Sequence, residues 1–132
     1  MQQRITVIRY RKPTSDELNA QLQWLGNSLG LFGERDRDRS CFRLFIELVS
    51  SSRKNESLTS DELAHKLHLT RATIVHHLHK LLDAGLIVKE QNRYLLRDRK
   101  LQDVIEEMRR DMDRAYADLL AMAKDIDQRL GL

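Results

Sequence analysis

The sequence predicts a mainly α-helical chain with a small β element and one long C-terminal helix. Three observations carry that expectation. Between Leu58 and Arg97, two capped helical stretches flank a tight turn and are followed by two short strand-like runs. From about Asp98 onward, apolar residues recur every seven positions almost to the end of the chain. Phe, Trp and Tyr make up only 5% of residues and there is one Pro, a balance that favours helices over a β-sandwich.

Composition bounds the rest. A length of 132 residues, 41% of them hydrophobic, suits one small domain with an accessory helix. Cys41 is the lone cysteine, which excludes an internal disulfide framework and fits a reducing cytoplasm. No apolar run approaches the length of a membrane span, and no signal-peptide pattern opens the chain, so the expectation is a cytoplasmic protein with no membrane partner. The net charge of +3 is unevenly spread. Residues 53–100 hold ten Lys/Arg against six Asp/Glu, and residues 101–132 hold five against eight. The middle of the chain therefore carries positive charge that a phosphate backbone can use.

Taken in order, Arg4 to Tyr10 alternates as a short strand does, and Arg4, Arg9, Arg11 and Lys12 make this opening basic. It reads either as an arm touching nucleic acid or, more plainly, as a strand on a sheet edge. Pro13 marks a boundary, after which Thr14 or Ser15 can cap a helix with Asp16 and Glu17 in its first turn. Leu18, Leu22, Leu25 and Leu29 follow at helical spacing, and Gly30 is a plausible stop. Trp24 lies off that stripe and needs another element or a second subunit to pack on. Glu34 to Arg39 alternates in sign and reads as a solvated turn. A second helix is expected from about Asp36 to Ser50, with Phe42, Phe45, Ile46 and Val49 on one face and Cys41, Leu44 and Leu48 on its flanks. So wide an apolar surface predicts a central, buried helix, with Cys41 a small buried hydrophobe. Ser50 to Ser57 reads as a polar loop.

Thr59-Ser60-Asp61-Glu62 is a capping box that opens a helix with Leu63, Ala64 and Leu67 on one face. His68-Leu69 make the turn. Thr70 caps the next helix, Arg71 to about Ala84, whose buried stripe is Ile74, Leu78, Leu81 and Leu82. Gly85 stands where a left-handed residue ends a helix. Leu86–Glu90 and Arg93–Arg97 are strand-like runs joined by Gln91-Asn92. Two capped helices about a short turn, closed by a hairpin, make a winged helix-turn-helix.

The stretch LTSDELAHKLHLTRATIVHHLHKLLDAGLIVKEQNRYLLR resembles the winged-helix region of ArsR-type and related prokaryotic regulators. The family pattern T-x-x-T-[VI]-x-x-H-L-x-x-L-x-x-A-G-L-[IV] is met by Thr70, Thr73, Ile74, His77, Leu78, Leu81, Ala84, Gly85, Leu86 and Ile87. The resemblance covers about forty residues and implies double-stranded DNA as a partner. It also implies that Arg71, Ala72, Val75 and His76, just after the cap and in mid-helix, meet the DNA. Val75 stands where many such regulators have Ser, a departure that bears on the bases read.

The residues point the same way. Opposite the buried stripe lie Ala72, Thr73, His76, His79, Lys80 and Asp83. Arg71 and His76 suit base edges, Val75 a thymine methyl, and Thr70, Thr73 and Lys80 phosphate. Lys89, Gln91, Asn92 and Arg93 form a basic hairpin tip suited to backbone or minor groove, while His77 falls on the core side and suits a structural hydrogen bond.

All the histidines lie between His65 and His79, but they face different ways, and the paired cysteines of the family's thiolate sensors are missing, so neither a metal site nor another cofactor is expected. No nucleophile–base pair and no Gly-rich phosphate loop suggests an enzyme.

The C-terminal helix carries Ile105, Met112, Leu119 and Ile126 on one heptad position and Leu101, Met108, Ala115 and Met122 on another. Such a seam is expected to find its partner in a second copy, alone or together with the first helix, rather than in its own small domain. The expected division is residues 1–13 as arm or strand, 14–97 as winged helix-turn-helix and 98–132 as dimerisation helix. The function expected is a homodimeric, sequence-specific transcription regulator whose effector the sequence does not name. A winged helix used for protein–protein assembly and a metal-responsive repressor are the alternatives.

Overall fold

The computed structural model describes residues 2–33 and 39–132. Its elements are α1 (Leu18–Ser28), α2 (Ser40–Arg53), β1 (Leu58–Thr59), α3 (Ser60–Leu67), α4 (Arg71–Ala84), β2 (Ile87–Glu90), β3 (Arg93–Leu96) and α5 (Leu101–Arg129). The fold is a winged helix: a mostly helical body, a small antiparallel sheet and a long last helix.

α2 is the centre, as its wide apolar surface predicts. Leu44, Phe45 and Leu48 are fully buried, and Cys41 is buried with its thiol donating to the Leu31 carbonyl at 3.4 Å. Around it pack Leu63 of α3, Ile74, Leu78 and Leu81 of α4, and Leu86. Fully burying each such side chain contributes roughly 1.5–3 kcal/mol. Phe32 closes one end against Phe42 and Phe45, and sits so near Gly26 that a Cβ there would come within 1.9 Å of its ring. α2 begins at Ser40 and continues to Arg53, so Ser50 to Arg53 is its last turn rather than loop. Buried Ser51 explains the extension, because its hydroxyl bonds back to the Leu48 carbonyl. The charged stretch Glu34–Asp38, with the start expected for this helix, lies outside the described residues.

α1 begins later than its sequence suggests. The Ser15 hydroxyl accepts from the Glu17 amide, and this turn delays the helix to Leu18. Trp24 finds its partner within the chain, donating to the Tyr10 carbonyl at 3.4 Å.

The opening residues form no strand. Residues 2–13 have no regular secondary structure and touch the ends of two helices at Arg4 and Ile8. The Arg4 amide donates to the Asp83 carbonyl at 2.8 Å, and the Ile8 amide to the Ser28 carbonyl at 2.7 Å. Carbonyls in a helix's last turn have no partner within it. The alternating pattern is thus used to cap α4 and α1, not to join a sheet.

The sheet has three strands in the order β1-β3-β2, and the strand beside the hairpin is Leu58–Thr59 rather than the opening segment. β1 pairs Leu58 with Tyr94 and Thr59 with Arg93, and two residues are too few to leave a periodic signal. β2 and β3 pair Ile87 with Leu96. Their link has positive φ at both Gln91 (52°) and Asn92 (64°), the mirror-image turn whose twist suits a two-residue hairpin.

α5 divides in two. Val104 and Met108 are buried in the core of their own chain, and Leu101 and Ile105 pack against it. Every residue from 113 onward is exposed. The expectation that the whole seam faces away from its own domain is therefore corrected for its first half, because the core extends past the wing to reach it.

Candidate nucleic-acid interface

The helix-turn-helix is set by its caps. The Thr59 hydroxyl accepts from the Glu62 amide at 3.1 Å. α3 ends on His68 in left-handed conformation, with the Leu69 amide on the Ala64 carbonyl. The Thr70 hydroxyl accepts from the Thr73 amide at 3.2 Å and donates to the Thr73 hydroxyl at 2.9 Å. α4 stops at Gly85 (φ 80°), where the Leu86 amide reaches back to Leu81 in a Schellman closure. Two further contacts brace the pair on α2. The Arg43 guanidinium donates to the Leu67 carbonyl, and Lys66 bridges Glu47 at 2.7 Å, which raises the lysine's pKa chiefly through that hydrogen bond.

With Ile74, Leu78 and Leu81 buried, Arg71, Ala72, His76, His79 and Lys80 of α4 are exposed, as is Thr70 before it. Thr73 and Val75 are half-buried. Arg71 lies 3.5 Å from Asp61, an exposed pair that water weakens. Lys80 reaches the Leu31 carbonyl at 2.9 Å. His77 turns inward to Ser40, with Nε2 at 2.7 Å from a buried hydroxyl, so this Ser–His contact ties α4 to the start of α2.

On the wing, Lys89, Gln91 and Asn92 are exposed, and the Lys89 ammonium lies 5.7 Å from the centre of the Tyr94 ring. Arg93 is tied down: it donates to the Ser57 hydroxyl at 3.0 Å and carbonyl at 2.8 Å and faces Glu62 at 3.3 Å. It roots the wing on the first turn of α3.

The structure adds a cluster that the sequence pattern does not mark. Asp111 of α5 is buried yet charged. Its carboxylate accepts two bonds from Arg97, one from Gln3 at 2.8 Å and one from Arg114. The Arg97 bonds, helped by Gln3 and Arg114, hold its pKa down at about 2 against the opposing effect of burial. Arg97 also meets Glu107 at 2.8 Å and lies 3.5 Å from the Gly85 carbonyl at the end of α4. One carboxylate thus joins the arm, the exit of the wing and the last helix. Its heptad position, beside the seam, reads as solvated from sequence, and only the fold brings Arg97 to it.

Among the described residues no three His, Cys, Asp or Glu side chains converge as metal ligands, and the single cysteine is buried. No helix of the described residues is long and apolar enough to cross a membrane.

The family model described as bacterial regulatory protein, arsR family, matches residues 46–89. The match runs from the middle of α2 through α3 and α4 into β2, a third of the chain, and contains the capped pair described above. No curated protein and no solved structure matches the chain.

Proposed function

We propose, from the ArsR-type helix-turn-helix that residues 46–89 carry, that this DNA-binding transcription regulator works as a cytoplasmic homodimer reading a two-fold operator. Each subunit presents residues 71–80 of α4 to a major groove. Arg71 and His76 read base edges there, Val75 and Ala72 meet the groove floor, and Thr70, Thr73, His79 and Lys80 face the backbone. The wing lays Lys89, Gln91 and Asn92 on the adjacent backbone or minor groove, with Arg93 fixing its root. The observation that carries this reading is the Thr70-capped helix itself: Ile74, Leu78 and Leu81 of its apolar stripe are fully buried and Leu82 partly so, while Arg71, Ala72 and His76 stand exposed at and after the cap. A helix N-terminus also favours the phosphate it approaches.

The second half of α5 supports the homodimer, since Leu119, Met122 and Ile126 are each about half exposed or more in one chain. A two-fold axis through these helices sets the distance between recognition helices, roughly 34 Å for successive major grooves. Selection from a random DNA pool, followed by titration at several salt concentrations, tests the reading. The expected product is an inverted repeat with half-sites about one helical turn apart, bound with an affinity that falls steeply with salt. A pool with no enriched sequence overturns sequence-specific regulation.

A further inference from the structure

We propose that a pocket between the arm and α1 binds a free α-amino acid with an apolar, ring-bearing side chain, and that this ligand fastens the arm to the rest of the domain.

The pocket is a cavity of about 350 Å³, a volume in the range of small-molecule sites. Pro13, Trp24 and Leu25 give it an apolar lining, and Lys12 and Asp16 line it as well. Trp24 is half-buried, and its ring N–H is already spent on the Tyr10 carbonyl at 3.4 Å. What the indole offers a ligand is therefore apolar ring surface, which packs well against another ring.

The charges select the ligand. Among the described residues neither Lys12 nor Asp16 has an ion-pair partner, and the two do not pair with each other. An apolar carboxylate gains from Lys12 but is repelled by Asp16. An apolar amine meets the reverse. A neutral apolar molecule strips water from both charges and returns no hydrogen bond. An α-amino acid carries an ammonium and a carboxylate on one carbon. Its head can meet Asp16 and Lys12 in charge-assisted hydrogen bonds while its side chain lies on Trp24, Pro13 and Leu25. Residues inside a peptide carry neither charge, so the match is to the free amino acid.

Filling the pocket bears on the arm. From Tyr10 the arm runs back to Ile8, whose amide donates to the Ser28 carbonyl at 2.7 Å, and to Arg4, whose amide donates to the Asp83 carbonyl at 2.8 Å in the last turn of α4. With no regular secondary structure in residues 2–13, isolated bonds such as these hold the arm rather than a ladder. A ligand touching both Lys12 of the arm and Trp24 of α1 adds to them, and its effect reaches the end of α4 through the arm.

The test uses the full chain without DNA, so it is independent of the regulator reading. Trp24 is the only tryptophan, and its fluorescence therefore reports this pocket alone. The probes are L-phenylalanine, 3-phenylpropionate, which lacks the ammonium, and 2-phenylethylamine, which lacks the carboxylate. Phenylalanine is expected to give a saturable change in emission, with each single-charge probe bound roughly tenfold more weakly. Lys12→Gln should abolish the preference over phenylethylamine, and Asp16→Asn the preference over phenylpropionate; both positions are exposed, so the fold is retained. With phenylalanine bound, hydrogen exchange at the Arg4 and Ile8 amides is expected to slow several-fold. No saturable change by about 10 mM, a concentration that would fill any site of millimolar affinity, overturns the site. Equal binding of the three probes overturns the amino-acid assignment. Unchanged exchange at saturation overturns the fastening of the arm.

Discussion

Arg71 and His76 differ from Lys80 and Arg93 in what else they do. Arg71 projects from α4 with one exposed partner, Asp61, and His76 with a ring contact to His77, centroids 5.5 Å apart. Arg71→Ala and His76→Ala are each expected to relax sequence preference by roughly 1–3 kcal/mol, read as the ratio of operator to random-DNA affinity. Lys80→Ala is expected to weaken binding to all sequences alike and flatten the salt slope, even though Lys80 must leave the Leu31 carbonyl to reach phosphate. Arg93→Ala adds a stability loss, because Arg93 also holds Ser57 and Glu62. Unchanged preference in the Arg71 variant would remove α4 as the reader. At Asp111 the expectation concerns pH. Its folded pKa, about 2, lies below that of an unfolded aspartate, so its stabilisation is fully present above about pH 4 and is lost as pH falls toward 2. About 1–2 kcal/mol should disappear over that window. Urea midpoints measured between pH 5 and 2 check it: Asp111→Asn should be less stable at neutral pH and show a shallower acid decline. Asp98 and Glu107 titrate nearby in both proteins, so the difference between the two curves isolates Asp111.

The elements of the helix-turn-helix depend on their ends more than on their length. α3 has eight residues, too few to stand alone in water, and is held by its two caps and its contacts with α2. Thr70→Ala removes the hydroxyl that receives the Thr73 amide and is expected to cost about 1 kcal/mol. His68 offers the opposite case. It occupies a left-handed position (φ 55°) at which glycine carries no steric penalty. His68→Gly, an exposed change, should therefore stabilise by roughly 0.5–1 kcal/mol in thermal or urea unfolding. If both variants leave stability unchanged, the turn is held by core packing alone.

Across the whole molecule, the last helix does two jobs along its length. Its first turns complete the core through Val104 and Met108, and its outer half projects from it. A charge in the outer half therefore tests assembly without touching the domain. Leu119 is 63% exposed, so Leu119→Asp leaves the single chain sound but buries a carboxylate in any pair, at a cost of several kcal/mol. Sedimentation is expected to show monomer, with operator affinity lost and the helical content of the winged domain retained. A wild-type protein that sediments as monomer at tens of micromolar would reject the seam as an interface.

What the chain determines by itself is whatever rests on neighbours a few residues apart. The Thr59 and Thr70 caps, the stripe Ile74–Leu78–Leu81, the left-handed Gly85, the Gln91-Asn92 turn and the period of α5 all follow from local geometry, and α4 begins and ends where these signals put it. The exposed face of α4, and with it most of the candidate DNA contacts, follows from the same periodicity. The tertiary structure decided matters whose partners are far apart in sequence. Arg4 to Tyr10 has a strand's alternation, but free carbonyls at the ends of α4 and α1 claim its amides. β1 exists only because Tyr94 and Arg93 offer it an edge. The seam of α5 has one period throughout, yet its first half meets its own core and its second half meets none, a division set by how far that core extends. Asp111 is a charged residue on a charged helix until the fold brings Arg97 and Gln3 to it, fourteen and 108 positions away. Periodicity reports which face of an element is apolar; only the packed chain supplies what covers that face.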